Sequence, residues 1–355
     1  MFGDHYCNRR VLITGHTGFK GSWLAMWLHE LGAKVGGFSD RAPKQPSLFQ
    51  VIDDSLWSHD LRGDVADAGT VRKVLRRVKP DVIFHLAAQP LVRESYQTPV
   101  DTMRTNVMGT AVLLDSVREL RLPSNVVVVT SDKCYDNRET SRRYRETDSL
   151  GGHDPYSASK GAAELMVQSW RRSFFEPDQQ LGNVASARGG NVIGGGDYAA
   201  DRIVPDCVRS LRSGEAIRLR NPGAVRPWQH VLDCLSGYLL LGSRLGKDPD
   251  AAAAFNFGPA RSSDRSVRDL VEEVLQHWPG RWEDASWGKQ PHEASLLHLS
   301  TTKAQRVLGW KPVWNFRDSV RHSIEWYRRR HGGGRHDMEA FSREQIRAYA
   351  AAAKA

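Results

Sequence analysis

The sequence predicts the α/β class: a parallel, doubly wound sheet with a smaller region interleaved into its C-terminal half. Three observations predict it. Short apolar runs alternate with segments of helical periodicity between residues 10 and 130. The first such pair meets in a turn with glycines at 15, 18 and 21. Past about residue 185 the alternation weakens and turns accumulate at Gly194-Gly195-Gly196, Asn221-Pro222-Gly223 and Gly258-Pro259.

Arg10 to Thr14 is a short apolar run ending at Gly15, which suits a buried parallel strand. From Gly18 to Leu31 the apolar residues Trp23, Leu24, Trp27, Leu28 and Leu31 recur at helical spacing, and Gly32 supplies the stop. Val35 to Phe38 reads as a second strand, Ala68 to Val78 as a helix and Asp81 to Leu86 as a further strand. Thr105 to Leu120 predicts a helix, and Asn125 to Thr130 a strand buried on both faces. At the far end, Ser342 to Lys354 predicts a helix opened by a Ser342/Gln345 capping pair, with Gly332 to Gly334 as a flexible joint before it. No internal repeat is visible.

Bulk properties exclude several classes. The 355 residues are 40% hydrophobic and 26% charged, enough for one large domain or two closely joined ones. Met1 to Arg10 is short and polar, unlike a signal peptide, and no apolar run approaches a membrane span, so a cytoplasmic protein is expected. Cys7, Cys134, Cys207 and Cys234 stand apart without metal or redox spacing, and the 13 histidines form no metal motif. The net charge of +9 suits an anionic substrate or nucleic acid. Basic residues are dispersed apart from Arg142-Arg143 and Arg328-Arg329-Arg330, which read as solvated surface. Nucleic-acid binding calls for a basic patch interleaved with aromatics, and Tyr144 among arginines is its only trace.

The glycine turn, Gly15-His16-Thr17-Gly18-Phe19-Lys20-Gly21, lies between a strand and a helix. In that context it is a Rossmann-type dinucleotide signature. Gly15 permits the tight turn, Gly18 lets the backbone approach a pyrophosphate, and Gly21 lets the helix pack closely. Thr17 and Phe19 complete the loop, and the helix start offers N–H groups to phosphates. Asp40 ends the second strand, where an acid holds a ribose diol, which favours NAD; Arg41 beside it would suit the 2′-phosphate of NADP. Asp40 can equally open a turn. Asp64 and Val65 are placed to reach the adenine.

Tyr156 and Lys160 stand four apart, on one face of a helix beginning near Pro155. A phenol ordinarily titrates near 10, so it needs a nearby cation to serve as a base. Upstream, Thr130-Ser131-Asp132-Lys133 follows a buried strand at its carboxyl end, where ligands bind in such sheets. Ser131 is placed to share a reacting hydroxyl with Tyr156, and Asp132 with Lys133 forms an acid–amine couple.

Taken together, these stretches resemble the extended short-chain dehydrogenase/reductase superfamily, and more closely the CDP-glucose 4,6-dehydratases. The resemblance also rests on His85-Leu86-Ala87-Ala88-Gln89-Pro90-Leu91-Val92-Arg93, Gly190-Asn191-Val192-Ile193-Gly194-Gly195-Gly196-Asp197 and Arg226-Pro227-Trp228-Gln229-His230-Val231. It extends from about residue 10 to about residue 330. Its most selective part is Ser131-Asp132-Lys133-Cys134-Tyr135: sister dehydratases of dTDP-glucose carry Asp-Glu where this chain has Asp-Lys.

The resemblance implies NAD as cofactor, lined also by Leu86, Ala87 and Ala88, and CDP-glucose or a related nucleotide sugar as substrate. It implies that Tyr156 takes the C4 hydroxyl proton as hydride leaves C4, that Lys133 removes the C5 proton and that Asp132 donates to the departing C6 hydroxyl. Hydride then returns to C6, with a proton to C5. Asn191 and Arg226 are implied as diphosphate ligands, while Gln89 and Arg93 line the sugar pocket; Asn106 serves either the site or helix packing. Residues 1–187, with late elements from about 226–259, are expected to form the NAD-binding domain. Residues 188–225 and 260–331 then form the sugar-nucleotide domain, and 332–355 a linker and terminal helix. A homodimer is implied through the Tyr/Lys helix, with Ala162, Ala163, Leu165, Met166 and Trp170 as apolar surface or as core.

The chain departs from the family pattern at Thr140 and Ser141, where aromatics are usual, and at Ser300, where Asp is usual. Alternatives are a dehydratase or 4-epimerase acting on another nucleotide sugar, and a non-catalytic dinucleotide sensor. The intact Ser131, Tyr156 and Lys160 argue against the sensor.

Overall fold

The computed structural model describes residues 2–43, 46–178, 180–286, 296–332 and 337–354. In chain order the strands are β1 (Arg10–Thr14), β2 (Lys34–Ser39), β3 (Trp57–Arg62), β4 (Val82–His85), β5 (Asn125–Val129), β6 (Val184–Gly189) and β7 (Val192–Ile193). They continue with β8 (Ile217–Leu219), β9 (Val225–Pro227), β10 (Gln229–His230), β11 (Ala254–Phe257), β12 (Asp264–Ser266) and β13 (Trp282–Asp284). The helices are α1 (Phe19–Glu30), α2 (Ala68–Val78), α3 (Val92–Gln97), α4 (Pro99–Met103), α5 (Gly109–Glu119) and α6 (Pro155–Trp170). The remaining five are α7 (Ile203–Ser213), α8 (Val231–Arg244), α9 (Val267–His277), α10 (Phe316–His331) and α11 (Met338–Ala352).

Seven parallel strands form the central sheet in the order β11-β6-β5-β4-β1-β2-β3. The chain moves outward from β1 to β3, then returns to place β4 on the other side of β1. That reversal opens a crevice beyond the carboxyl ends of β1 and β4, where doubly wound sheets bind ligands. Strand residues alternate between two cores: Val11, Ile13, Phe84 and Val127 face one side, Leu12, Ile83, Val126 and Val128 the other. The first core lies under α1, α8, α10 and α11, the second under α2, α5 and α6.

Several boundaries differ from the sequence expectation for identifiable reasons. The helix expected from Thr105 starts earlier, at Pro99, and reaches Glu119 through a π turn over Arg104–Met108. Proline at the first helical position presets the backbone, while the exposed Val100 gives no periodic signal. The terminal helix begins at Met338 and is capped by Asp337, whose carboxylate accepts from the Ala340 N–H. Ser342 therefore lies inside the helix, donating to the Met338 carbonyl and accepting from Trp326 Nε1 at 2.9 Å. Of the joint expected over Gly332 to Gly334, Gly333 and Gly334 lie outside the described residues.

Helix α1 is buried from Gly21 through Leu28, because α11 folds back over its outer face. There Glu30 receives hydrogen bonds from Arg343 and Arg347; burial pushes its carboxyl up, but the two guanidiniums prevail and hold it below the usual range. The region past residue 190 builds three two-stranded pairs, β7 with β10, β9 with β12 and β8 with β13, beside α7 and α9. Helix α8 and strand β11 return to the main sheet.

Candidate active site

The glycine turn is packed as tightly as its spacing implies. A Cβ on Gly15, whose φ is +74°, would lie 2.7 Å from the Ala87 nitrogen. One on Gly21 would lie 2.3 Å from the Gly15 carbonyl oxygen, so the helix presses on the turn itself. Gly18 is exposed, and α1 begins there without a side-chain cap for its first N–H groups. His85 sits below, paired with Thr14 Oγ1 at 2.7 Å and Thr110 Oγ1 at 3.1 Å; burial drives it down to about 3, so it stays neutral.

The turn is fastened outward by His16, a residue given no separate role by its sequence context. Its buried ring meets Ser39 Oγ at 2.9 Å and Asp60 Oδ1 at 2.8 Å, and a Cβ on Gly37 would collide with it. Thr17 is buried and donates to the Arg41 carbonyl. Asp40 is exposed beyond β2, accepting from its neighbour's N–H at 2.8 Å. Asp64 pairs with Arg104, while Val65 is buried against Gly109 in the second core. Leu86 and Ala87 leave β4 half-buried, and the Ala87 N–H donates to Thr14 Oγ1 at 3.2 Å.

Helix α6 opens on Asp154, which accepts from the N–H and the hydroxyl of Ser157, with Pro155 in its first turn. The Tyr156 N–H donates to Ser95 Oγ at 3.1 Å, fixing where the tyrosine enters. Tyr156 and Lys160 are both buried, and the Lys160 ammonium lies 5.9 Å from the centre of the tyrosine ring. At the end of β5, Ser131 caps a short turn over Asp132–Cys134: its hydroxyl donates to Asp132 Oδ1 at 2.9 Å and accepts from the Lys133 N–H at 3.2 Å. Ser131 also lies near enough to the Tyr156 phenol to favour its ionised form. Asp132 is buried and Lys133 half-buried.

Electrostatics follow from this burial. Burial pushes Tyr156 up to about 12, with Ser131 and the charge of Arg202 opposing. Arg202 is held by Asp197 at 2.7 Å. Lys160 is itself brought down to about 8, by burial first and then by Lys20. Burial also raises Asp132 above the usual carboxylate range, against the charges of Lys133, Lys20 and Arg226 and the Ser131 hydrogen bond. The charge of Arg226, on β9, thus acts on the acid.

Other expected residues divide between pocket and scaffold. Asn191 precedes β7, and its carbonyl accepts from the Gln229 N–H at 3.1 Å. Gln89 spends its amide on Thr102 Oγ1 and on the backbone of Leu91. Asn106, buried in the π turn, bridges Gln89 to Ser159 Oγ at 2.8 Å and so serves packing. Arg93 lies 3.8 Å from Asp201. Two surface cavities, of about 320 and 490 Å³, sit elsewhere, around Arg10 and Lys79 and around Phe2 and Arg244; neither holds a candidate residue.

Sequence reasoning missed Lys20 and Arg202. Lys20 reaches Tyr238 Oη at 3.5 Å, and a lysine in the first turn of a helix, against the dipole, was a usable signal. Arg202 carried none, since only folding carries it toward Tyr156. Among the described residues no cluster suited to a metal ion occurs.

A dinucleotide turn with a Tyr–Lys pair defines a short-chain dehydrogenase/reductase, and the acid–amine couple narrows this to the nucleotide-sugar dehydratases. The chain belongs to the GDP-mannose 4,6 dehydratase family, whose model matches residues 12–323. It is 44% identical over 354 residues to the CDP-glucose 4,6-dehydratase of Salmonella typhimurium, covering 97% of each chain. Among solved structures it is similar to DesIV, a dTDP-glucose 4,6-dehydratase from Streptomyces venezuelae solved with NAD bound. That match has 26% identity and a TM-score of 0.77, over 91% of this chain and 98% of that one. The UDP-glucose 4-epimerase of Thermus thermophilus, solved with NAD, shares the fold at 24% identity and a TM-score of 0.76, over 90% and 99% of the two chains.

Proposed function

We propose that this chain is an NAD-dependent CDP-glucose 4,6-dehydratase, converting CDP-glucose to CDP-4-keto-6-deoxyglucose. The observation that carries the reading is the Asp132–Lys133 couple, its acid buried and bonded to Ser131, set beside Tyr156. Oxidation at C4 needs only the Tyr–Lys pair, which epimerases also have. Loss of water across C5 and C6 needs an added base and an added acid, and this site has both.

The residues suit NAD: the turn is open at Gly18, uncapped at α1 and pressed against Leu86–Ala87. Gly15, Thr17, Gly18, Phe19 and Gly21 would hold the pyrophosphate, Asp40 the ribose, and Asp64, Val65, Leu86, Ala87 and Ala88 the adenine side and the floor. Bound there, NAD supplies the hydride acceptor for C4 and the hydride returned to C6. Tyr156 takes the C4 hydroxyl proton while Ser131 orients its oxygen and Lys160 stands beside the ring. Lys133 removes the C5 proton acidified by the 4-ketone, and Asp132, favoured in its protonated form by burial, protonates the departing C6 oxygen. Asn191 and Arg226 hold the diphosphate, with Arg93 at the sugar pocket; Gln89 shapes that wall through its loop.

Two copies pair through α4, α5 and α6. Val100 (76% exposed), Leu165 (55%) and Met108 (52%) leave apolar surface uncovered on adjacent helices, with Phe174 at the edge. Ala163 is core, and Trp170 packs partly against the second core. Four free cysteines, Cys7 among them exposed, suit a reducing cytoplasm. Among the described residues no helix is long and apolar enough to cross a membrane.

Incubation with CDP-, dTDP-, UDP- and GDP-glucose tests the assignment. A 4-ketosugar, read by its absorbance in base, is expected from CDP-glucose before the others; CDP-galactose would mark an epimerase and overturn it.

A further inference from the structure

The two halves of the site stand on different elements. Tyr156 and Lys160 ride on α6, whereas Asp132 and Lys133 sit on the turn after β5. Beneath them lies a buried ion pair that the reaction does not use. Glu164, one turn beyond Lys160 on the same stripe of α6, meets Arg188 of β6 at 2.7 Å, and both side chains are buried.

Burying an ion pair gains little stability over an apolar pair of equal volume, so its geometry is what distinguishes it. One Glu164 oxygen accepts from Thr130 Oγ1, and the other from Ser186 Oγ at 2.8 Å as well as from Arg188. The second branch of the Arg188 fork donates to Tyr135 Oη at 2.8 Å, and that hydroxyl donates onward to Asn256 Oδ1 of β11 at 2.7 Å. The guanidinium also lies 5.0 Å over the Tyr135 ring.

Thr130 immediately precedes Ser131, and Tyr135 immediately follows the turn of Asp132–Cys134. The pair therefore grips the acid–amine turn on both flanks, from the helix that carries Tyr156 and Lys160. We propose that Glu164 and Arg188, relayed through Tyr135, are positioning residues for elimination, holding Asp132 and Lys133 in register with Tyr156. The proposal rests on the dehydratase reading. Oxidation draws on α6 and, from the turn, on Ser131 alone, whereas elimination needs both Asp132 and Lys133 in place, so loosening the clamp penalises loss of water more than removal of hydride from C4.

Two mild variants test this. Tyr135→Phe deletes only the relaying hydroxyl and keeps the ring. Arg188→Lys keeps a positive partner for Glu164 but has no fork to reach Tyr135. With NAD-loaded enzyme and CDP-glucose in a single turnover, C4 oxidation is followed by reduced-nicotinamide absorbance and elimination by loss of a C5 deuterium. Both variants are expected to slow elimination on the order of tenfold to a hundredfold while oxidation changes less than about threefold, so that reduced cofactor accumulates. A loss shared equally by the two steps, as from general destabilisation, or no loss in either variant, overturns the proposal. Wild-type enzyme that forms no 4-keto-6-deoxy product would instead overturn the dehydratase reading itself.

Discussion

Lys133 and Lys160 are both lysines near one tyrosine, yet their surroundings separate their tasks. Lys133 lies half-buried on the turn after β5, next to a carboxyl that burial raises above the usual range. Lys133→Ala should leave C4 oxidation intact and slow dehydration by at least about a hundredfold, the worth of a positioned general base. Rapid-mixing spectroscopy of the reduced cofactor, with product analysis, checks it; undiminished loss of water would remove Lys133 from the role.

Lys160 is held near 8, well below an ordinary lysine, because its ammonium is buried and faces Lys20. Between about 8 and the unfolded value near 10.4 the unfolded chain binds more protons, so this lysine's stability deficit is complete below 8 and fades as pH rises through that window. Lys160→Met should thus raise the Tm of the cofactor-free protein at pH 7 while abolishing oxidation, and the gain should shrink at pH 10. Thermal melts at the two pH values decide it; an equal gain at both would refute the charge argument.

At the scale of elements, α6 carries both chemistry and, together with α4, the proposed pairing. Replacing Leu165 and Val100 with Asp places charges on exposed positions, 55% and 76% accessible in the single chain, so the protomer should keep its fold. Sedimentation should then show a monomer for the variant and, on this proposal, a dimer for the parent. Unchanged dimers would place the interface elsewhere.

Element boundaries were legible where a local signal is strong. Arg10–Thr14 and Ala68–Val78 match their expected spans residue for residue, since an apolar run or an Asp cap ends each pattern abruptly. Ser342 and Gln345 misled because a capping pair is a pattern of side chains four positions wide, and the same residues occur inside a helix when a neighbour such as Trp326 occupies the serine.

Across the whole molecule, Asp233 joins three distant segments. Its Oδ1 accepts from the Val313 N–H and from Tyr349 Oη at 2.7 Å, and its Oδ2 is buried without a hydrogen-bond partner among the described residues. Burial raises this carboxyl to about 7. From about 4 to 7 the folded state binds more protons than the unfolded one, so stability falls as pH rises through that window and the deficit is complete above it. Asp233→Asn keeps the accepting oxygen and should raise Tm at pH 8.5 but change it little at pH 5. Equal effects at the two pH values in calorimetry would show that the carboxyl does not titrate there.

Residue order alone determined what is local or nearly so. The sheet's parallel character, the glycine turn at 15, 18 and 21, and the placing of Tyr156 one helical turn from Lys160 follow from periodicity and backbone sterics over a few residues. Tertiary structure alone decided what depends on distant partners: that Arg202 and Lys20 turn their charge on Tyr156 and Lys160, that α11 closes over α1, and that Glu164 meets Arg188 beneath the site. Burial and charge act through space, and their strength is set by separations and dielectric surroundings that no spacing along the chain encodes.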